Sequence, residues 1–280
     1  AEIAAMRAVL VLPGMEEVSV RRDIPYKTVE GETLTFDLYE PSGGVRKPWP
    51  LVLFVMGFPD WGLQKILGCK AKEMGSYVSW AQLVAVSGMA AVNVSTRQPA
   101  EDAPEVIRHL REHGGELGVD AARLAIWSCS GNVPNALSVL MTPGAGFLKC
   151  AALLYGYMLD LDGATRVASM AEAMHFANPA AGRPLSDLPP TLPIFVARAG
   201  ADQTPGLNET IDRFVAAAVQ RNLPITVVNH PTGPHAFDLM EDSEASRAVV
   251  RQILAFLRTR LLAAGATAAQ VDPIVALRQE

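Results

Sequence analysis

Three residues of this chain could together carry out nucleophilic chemistry on an acyl group, and they come in the order Ser130, Asp202, His235. A serine hydroxyl is a weak nucleophile. It becomes an effective one when a neighbouring imidazole accepts its proton and a carboxylate orients that imidazole and stabilises its charged form. Ser130 stands in Ser128-Cys129-Ser130-Gly131-Asn132, Asp202 in Gly200-Ala201-Asp202-Gln203, and His235 in Gly233-Pro234-His235-Ala236-Phe237. Each residue also has a plainer reading. Asp202 could cap the helix that begins near Leu207, and His235 could be a loop histidine satisfied by its neighbours. His230 is a rival base, and Asp160 and Asp162 are rival acids. Their joint occurrence, in order and each after a predicted strand, favours the triad.

The elements that must position these groups follow from the spacing of apolar residues. Residues 124–127 are an apolar run of strand type, and from Val133 the apolar positions switch to helical spacing, so a strand passes through a sharp turn into a helix with Ser130 at the turn. Such a turn strains the nucleophile's backbone and needs small or left-handed-tolerant residues two positions either side, here Ser128 and Asn132. Pro134 falls in the first helical turn, where its missing N–H costs nothing. An oxyanion formed at Ser130 needs two fixed N–H donors. Gly131, next to the nucleophile at a helix N-terminus, supplies one; Phe58, presented by the loop after the strand 51–56 where Gly57 permits close approach, supplies the other. Cys129 is a weaker nucleophile candidate, because Trp127 would then occupy a small-residue position, and it reads as structural.

The rest of the chain supplies the frame. Residues 18–20 and 34–39 alternate around Gly31 as an edge hairpin, buried strands are predicted at 51–56, 90–95 and 149–154, and further strands at 193–199 and 225–229. Helices are predicted at 77–87, 101–116, 160–176, 207–220 and 243–262, with Gly88 closing the first and Gly114, Gly115 and Gly118 ending the second. Strands alternating with helices predict an α/β fold with a mostly parallel central sheet and helices on both faces, its ligands at the carboxyl ends of the strands. His109, His113 and His175 lie on predicted helices and read as solvated or structural. With 280 residues, half of them apolar, one domain over 1–280 is expected, with a small lid-like insertion at about 156–193. The net charge of −5 offers nothing to a phosphate backbone, so no nucleic-acid partner is expected. Three cysteines without metal-ligand spacing predict neither a disulfide framework nor a zinc site, and a cytoplasmic location fits. The start at Ala1 leaves removal of a signal peptide open, although the apolar stretch 3–12 carries Arg7 and is too short to span a membrane.

From about Val18 to Leu262 the chain resembles the α/β-hydrolase superfamily, in its esterase and dienelactone-hydrolase-like branch. The resemblance is carried by Phe54-Val55-Met56-Gly57-Phe58-Pro59, by Glu116-Leu117-Gly118-Val119-Asp120 ahead of Arg123-Leu124-Ala125-Ile126-Trp127, and by the three stretches around Ser130, Asp202 and His235. It implies Ser130 as nucleophile, Asp202 as acid, His235 as base, Phe58 and Gly131 as oxyanion donors, and no cofactor or metal. Met56 departs from the usual His, Ser128 and Asn132 from the glycines of the turn, and a serine nucleophile from the cysteine of dienelactone hydrolases proper. The expected activity is therefore hydrolysis of carboxylic esters through an acyl-enzyme, with a serine peptidase or acyltransferase, or a non-catalytic binding protein of the same fold, as alternatives. Gly57, Trp61, Met158, Met174 and Phe176 flank the site and are expected to contact a short to medium acyl chain of a small-molecule ester. No membrane span is expected, and homo-oligomerisation is left open.

Overall fold

The continuous apolar runs become the central strands because each buries side chains on two faces at once. In Trp49–Phe54, Leu51 and Leu53 pack in one hydrophobic cluster while Val52 and Phe54 pack in another on the opposite face. Val119–Cys129 does the same, with Leu124 and Ile126 on one side and Ala125, Trp127 and Cys129 on the other. The computed structural model describes residues 2–262. Ala1 and the tail 263–280, which end the expected 1–280 domain, lie outside the described residues.

Eight strands form one sheet: β1 (Val20–Val29), β2 (Glu32–Tyr39), β3 (Trp49–Phe54), β4 (Ala90–Val94), β5 (Val119–Cys129), β6 (Leu148–Leu154), β7 (Ile194–Ala199) and β8 (Ile225–His230). Their order is β1-β2-β4-β3-β5-β6-β7-β8, and β2 alone runs against the others. The helices are α1 (Glu2–Ala5), α2 (Asp60–Leu67), α3 (Gly75–Val86), α4 (Pro99–Leu117), α5 (Val133–Leu140), α6 (Arg166–Met174), α7 (Leu207–Gln220), α8 (Phe237–Met240) and α9 (Glu244–Leu262). One face of the sheet is covered by α4, α5 and α7, the other by α3 and α9. No helix among the described residues is long and apolar enough to cross a membrane.

Several boundaries differ from the sequence reading for local reasons. The first strand begins at Val20 and runs to Val29, because as an edge strand it needs only one apolar face and its polar residues face water. α4 runs through Gly114 and Gly115 and stops at Gly118, the residue with a left-handed φ of 78°. Residues 160–165 stay outside α6, because the Asp160 carboxylate accepts hydrogen bonds from the N–H groups of Val167 and Ala168, both at 2.9 Å, and so caps the helix from a distance. α2 and α8 were not anticipated; each is short and lies in a loop whose spacing shows no complete apolar stripe.

The loops leaving β7 and β8 are joined through their backbones. Gly200 N–H donates to the carbonyl of His230 at 2.8 Å, Ala201 N–H donates to that of Gly233 at 3.0 Å, and a methyl group on Gly200 would sit 2.4 Å from the Pro231 carbonyl oxygen. These two loops carry Asp202 and His235. Gly200→Ala should therefore push them apart and lower stability by about 1–3 kcal/mol, read from urea unfolding; an unchanged midpoint would show that the loops yield freely.

Candidate active site

Strand β5 delivers Ser130 to the turn and α5 leaves from it. Cys129 is still extended, at φ −144° and ψ 155°, whereas Ser130 has φ 54°, a left-handed value that a non-glycine residue holds only where its surroundings impose it. Close packing imposes it here. A methyl group on Gly156, just past β6, would meet Val133 Cγ2 at 2.1 Å, and one on Gly57 would meet the Gly131 carbonyl oxygen at 2.7 Å. The turn is thus pressed between two neighbouring loops.

His235 Nε2 lies 2.9 Å from Ser130 Oγ, and His235 Nδ1 lies 2.6 Å from Asp202 Oδ2. The Asp202 side chain is fully enclosed and its other oxygen accepts the Thr204 N–H at 2.8 Å, which leaves it one direction in which to face the imidazole. A third of the His235 side chain remains exposed to solvent. The Tyr155 ring meets it edge-on, with centroids 5.1 Å apart.

Two of the rivals, His230 and Asp160, are engaged elsewhere. His230 is buried and faces Glu241 Oε2 at 2.7 Å and Ser246 Oγ at 3.1 Å, in a polar cluster beneath α9. Asp160 caps α6. Asp162 is a left-handed loop residue at φ 56°. His109 packs edge-on against Phe36. Around Ser130, Phe58 and Phe176 meet edge-on with centroids 6.0 Å apart, and a methyl group on Gly131 would strike both rings at 2.9 and 3.0 Å. Both rings therefore wall the turn. Trp61, on α2, is 63% exposed, and Met174, at the end of α6, is 41% exposed; Met158 is buried in the core with its N–H on Thr210 Oγ1. Among the described residues no group of three or more His, Cys, Asp or Glu is placed to hold a metal ion.

No family model and no curated protein matches the chain. Solved structures do. Esterase LipW from Mycobacterium marinum superposes with a TM-score of 0.65 at 17% identity, over 86% of this chain and 81% of its own. LAE6, an α/β-hydrolase enzyme from the metagenome of Lake Arreo, Spain, gives 0.66 at 19%, over 85% and 81%; a bacterial heroin esterase gives 0.64 at 16%, over 90% and 87%. The chain has the α/β-hydrolase fold.

Within the α/β-hydrolase frame one buried cluster has no counterpart in the sequence reading. Beneath His235 and the turn, the Asp238 carboxylate accepts the Tyr155 O–H at 2.6 Å and the Trp80 indole N–H at 2.9 Å, and it is wholly buried. Burial raises its pKa from an ordinary 3.8 to about 6, with the two hydrogen bonds and His235 working in the opposite direction. Burial, with the nearby Asp238 charge, pushes the Cys129 thiol up to about 12, so the residue next to Ser130 is a protonated thiol at neutral pH and not a competing nucleophile. Nothing in the local pattern marks Asp238 as buried, since its donors come from far along the chain.

Folding raises the Asp238 pKa, so between about pH 4 and 6 the folded protein holds a proton that the unfolded chain has released. Its contribution is favourable at the acid end and lost as pH rises through the folded value. Relative to Asp238→Asn, the wild type should therefore lose unfolding free energy across that window and level off above it, measured by urea denaturation at stepped pH. A constant difference between the two proteins at every pH would mean that the carboxyl does not titrate there.

Proposed function

We propose that this chain is a cofactor-free serine carboxylesterase acting on short to medium acyl esters through an acyl-enzyme. One observation carries the reading: Ser130 Oγ, at a left-handed turn between β5 and α5, lies 2.9 Å from His235 Nε2, whose other nitrogen lies 2.6 Å from enclosed Asp202. That several structural neighbours bear the name esterase supports it. The reading takes 1–280 as one domain with an insertion at about 156–193, acting on a small-molecule ester in the cytoplasm.

In the proposed reaction Ser130 Oγ attacks the ester carbonyl carbon while His235 Nε2 takes its proton, and Asp202 stabilises the imidazolium. The carbonyl electron pair moves onto oxygen, and the N–H groups of Phe58 and Gly131 receive that charge. As the C=O re-forms, the alkoxide leaves with the proton from His235. Water, deprotonated by the same imidazole, then attacks the acyl carbon, and Ser130 departs with its proton restored. In this reading Phe58 and Phe176, whose rings meet beside the turn, wall the acyl group, Gly57 allows the close approach, and Trp61, Met158 and Met174 contribute further contacts to the acyl chain.

Against p-nitrophenyl esters, Ser130→Ala and His235→Ala should each lose at least about three decades of kcat/KM with the fold intact, because such residues act as a unit. Retention of a tenth of wild-type turnover by Ser130→Ala would remove the serine from the mechanism.

The acyl series supplies a separate test. Each CH₂ buried against Phe58 and Phe176 contributes about 0.8 kcal/mol, so kcat/KM should rise about fourfold per carbon from acetate to butyrate. An optimum at acetate that Phe58→Ala leaves unmoved would show that these rings do not meet the acyl chain.

A further inference from the structure

The turn around Ser130 replaces two side-chain-free positions with Ser128 and Asn132 and adds Asn135 one helical turn later, all at buried positions. Buried amides and hydroxyls are costly unless they are hydrogen-bonded, so their partners need accounting for. All three reach the same short loop. Ser128 Oγ donates to the Val55 carbonyl at 3.0 Å. Asn135 Nδ2 donates to the Met56 carbonyl at 2.6 Å and to that of Pro99 at 2.9 Å. Asn132 Oδ1 accepts the Gly57 N–H at 2.6 Å, while its Nδ2 donates to Tyr77 Oη at 3.1 Å.

The next two carbonyls of that loop are held from elsewhere. Ala177 N–H, in the insertion, donates to the Gly57 carbonyl at 2.8 Å, and Thr96 Oγ1 donates to the Phe58 carbonyl at 3.0 Å. Four consecutive carbonyls, 55 to 58, are therefore fixed, together with the Gly57 N–H. A trans peptide is planar, so fixing the Gly57 carbonyl also fixes the direction of the Phe58 N–H, which points the opposite way. Among the described residues nothing accepts a hydrogen bond from that N–H.

We propose that Ser128, Asn132 and Asn135 are positioning residues that clamp the loop from Val55 to Phe58 onto the turn and so preorganise the Phe58 N–H as an oxyanion donor. The inference rests on the esterase reading and deepens it. A donor stabilises the transition state most when it need not reorient during the reaction, and this clamp removes that reorientation. The departures from glycine at this turn are then additions to the oxyanion machinery and not signs of lost activity.

The test compares wild type, Asn132→Gly and Ser128→Ala on a p-nitrophenyl ester and with an alkylboronic acid, whose adduct with a serine places an oxygen where the oxyanion forms. Because the clamp is already made in the free protein and the donor it positions bonds the oxyanion only in the transition state, each variant should lose about tenfold to a hundredfold in kcat with KM nearly unchanged. The boronate inhibition constant should rise by a similar factor, and fluorophosphonate should still label Ser130. A purely structural role would move KM and thermal stability without that matched loss. If Asn132→Gly does not fold, Ser128→Ala, which deletes a single hydroxyl, carries the same expectation. Full kcat in a folded, labelled variant, or a loss confined to KM, overturns the clamp and leaves the esterase reading standing. A wild type that hydrolyses no ester and takes no fluorophosphonate overturns both.

Discussion

The structure depends on one strained residue. Ser130 holds φ 54° between an extended Cys129 and the start of α5, a conformation that costs on the order of 1–3 kcal/mol for a residue with a side chain. It persists because β5 lies in the middle of the sheet, paired with β3 on one side and β6 on the other, and because the loops leaving those two strands press on the turn from both sides. Gly57 and Gly156 are glycines for that reason. A Cβ at either would meet backbone or Val133 at distances no packing tolerates. The strain lifts the Ser130 hydroxyl out of the strand to where His235 can meet it.

Beneath that turn several buried polar groups are hydrogen-bonded to one another. Tyr155 and Trp80 both donate to Asp238, and Asn132 bonds Tyr77, so the site rests on a hydrogen-bonded floor and not on an oily one. Tyr155 links the floor to the reactive edge, touching His235 with its ring and Asp238 with its hydroxyl. Such a floor resists side-chain repacking, because displacing any member leaves a buried donor or acceptor unpaired. Burial keeps Tyr77, Tyr155 and Cys129 protonated, so Asp238 is the member whose charge can change near neutral pH.

The insertion between β6 and β7 reaches the turn at one point that matters. Phe176 stacks on Tyr157 and meets Phe58, and the next residue, Ala177, donates its N–H to Gly57. Tyr157 in turn donates to the Pro205 carbonyl, three residues past Asp202. The insertion is therefore wired to the loop that presents Phe58 and to the loop that carries Asp202. Its α6 lies farther out, capped by Asp160 and exposing Met174.

The sequence alone indicated the eight strands, the longer helices and the turn at Ser130, and it named Asp202 and His235 as candidate partners among rivals. Those features are written in local patterns: apolar runs doubly buried in a parallel sheet, helical spacing in α7 and α9, and loop residues placed directly after strands. It also left alternatives that local pattern could not separate. His230 ends β8 and His235 follows it, and Asp160 and Asp202 each follow a strand; only the folded chain shows His230 turned toward Glu241 and Asp160 spent on a helix cap. The floor and the clamp were decided entirely by tertiary structure. Trp80 meets Asp238 across 158 residues, Asn132 meets Gly57 across 75, and Thr96 meets Phe58 across 38. A hydrogen bond of that range leaves no periodicity behind, because it depends on which sheet edge, helix face and loop are brought together, and that is fixed by the packing of the whole core.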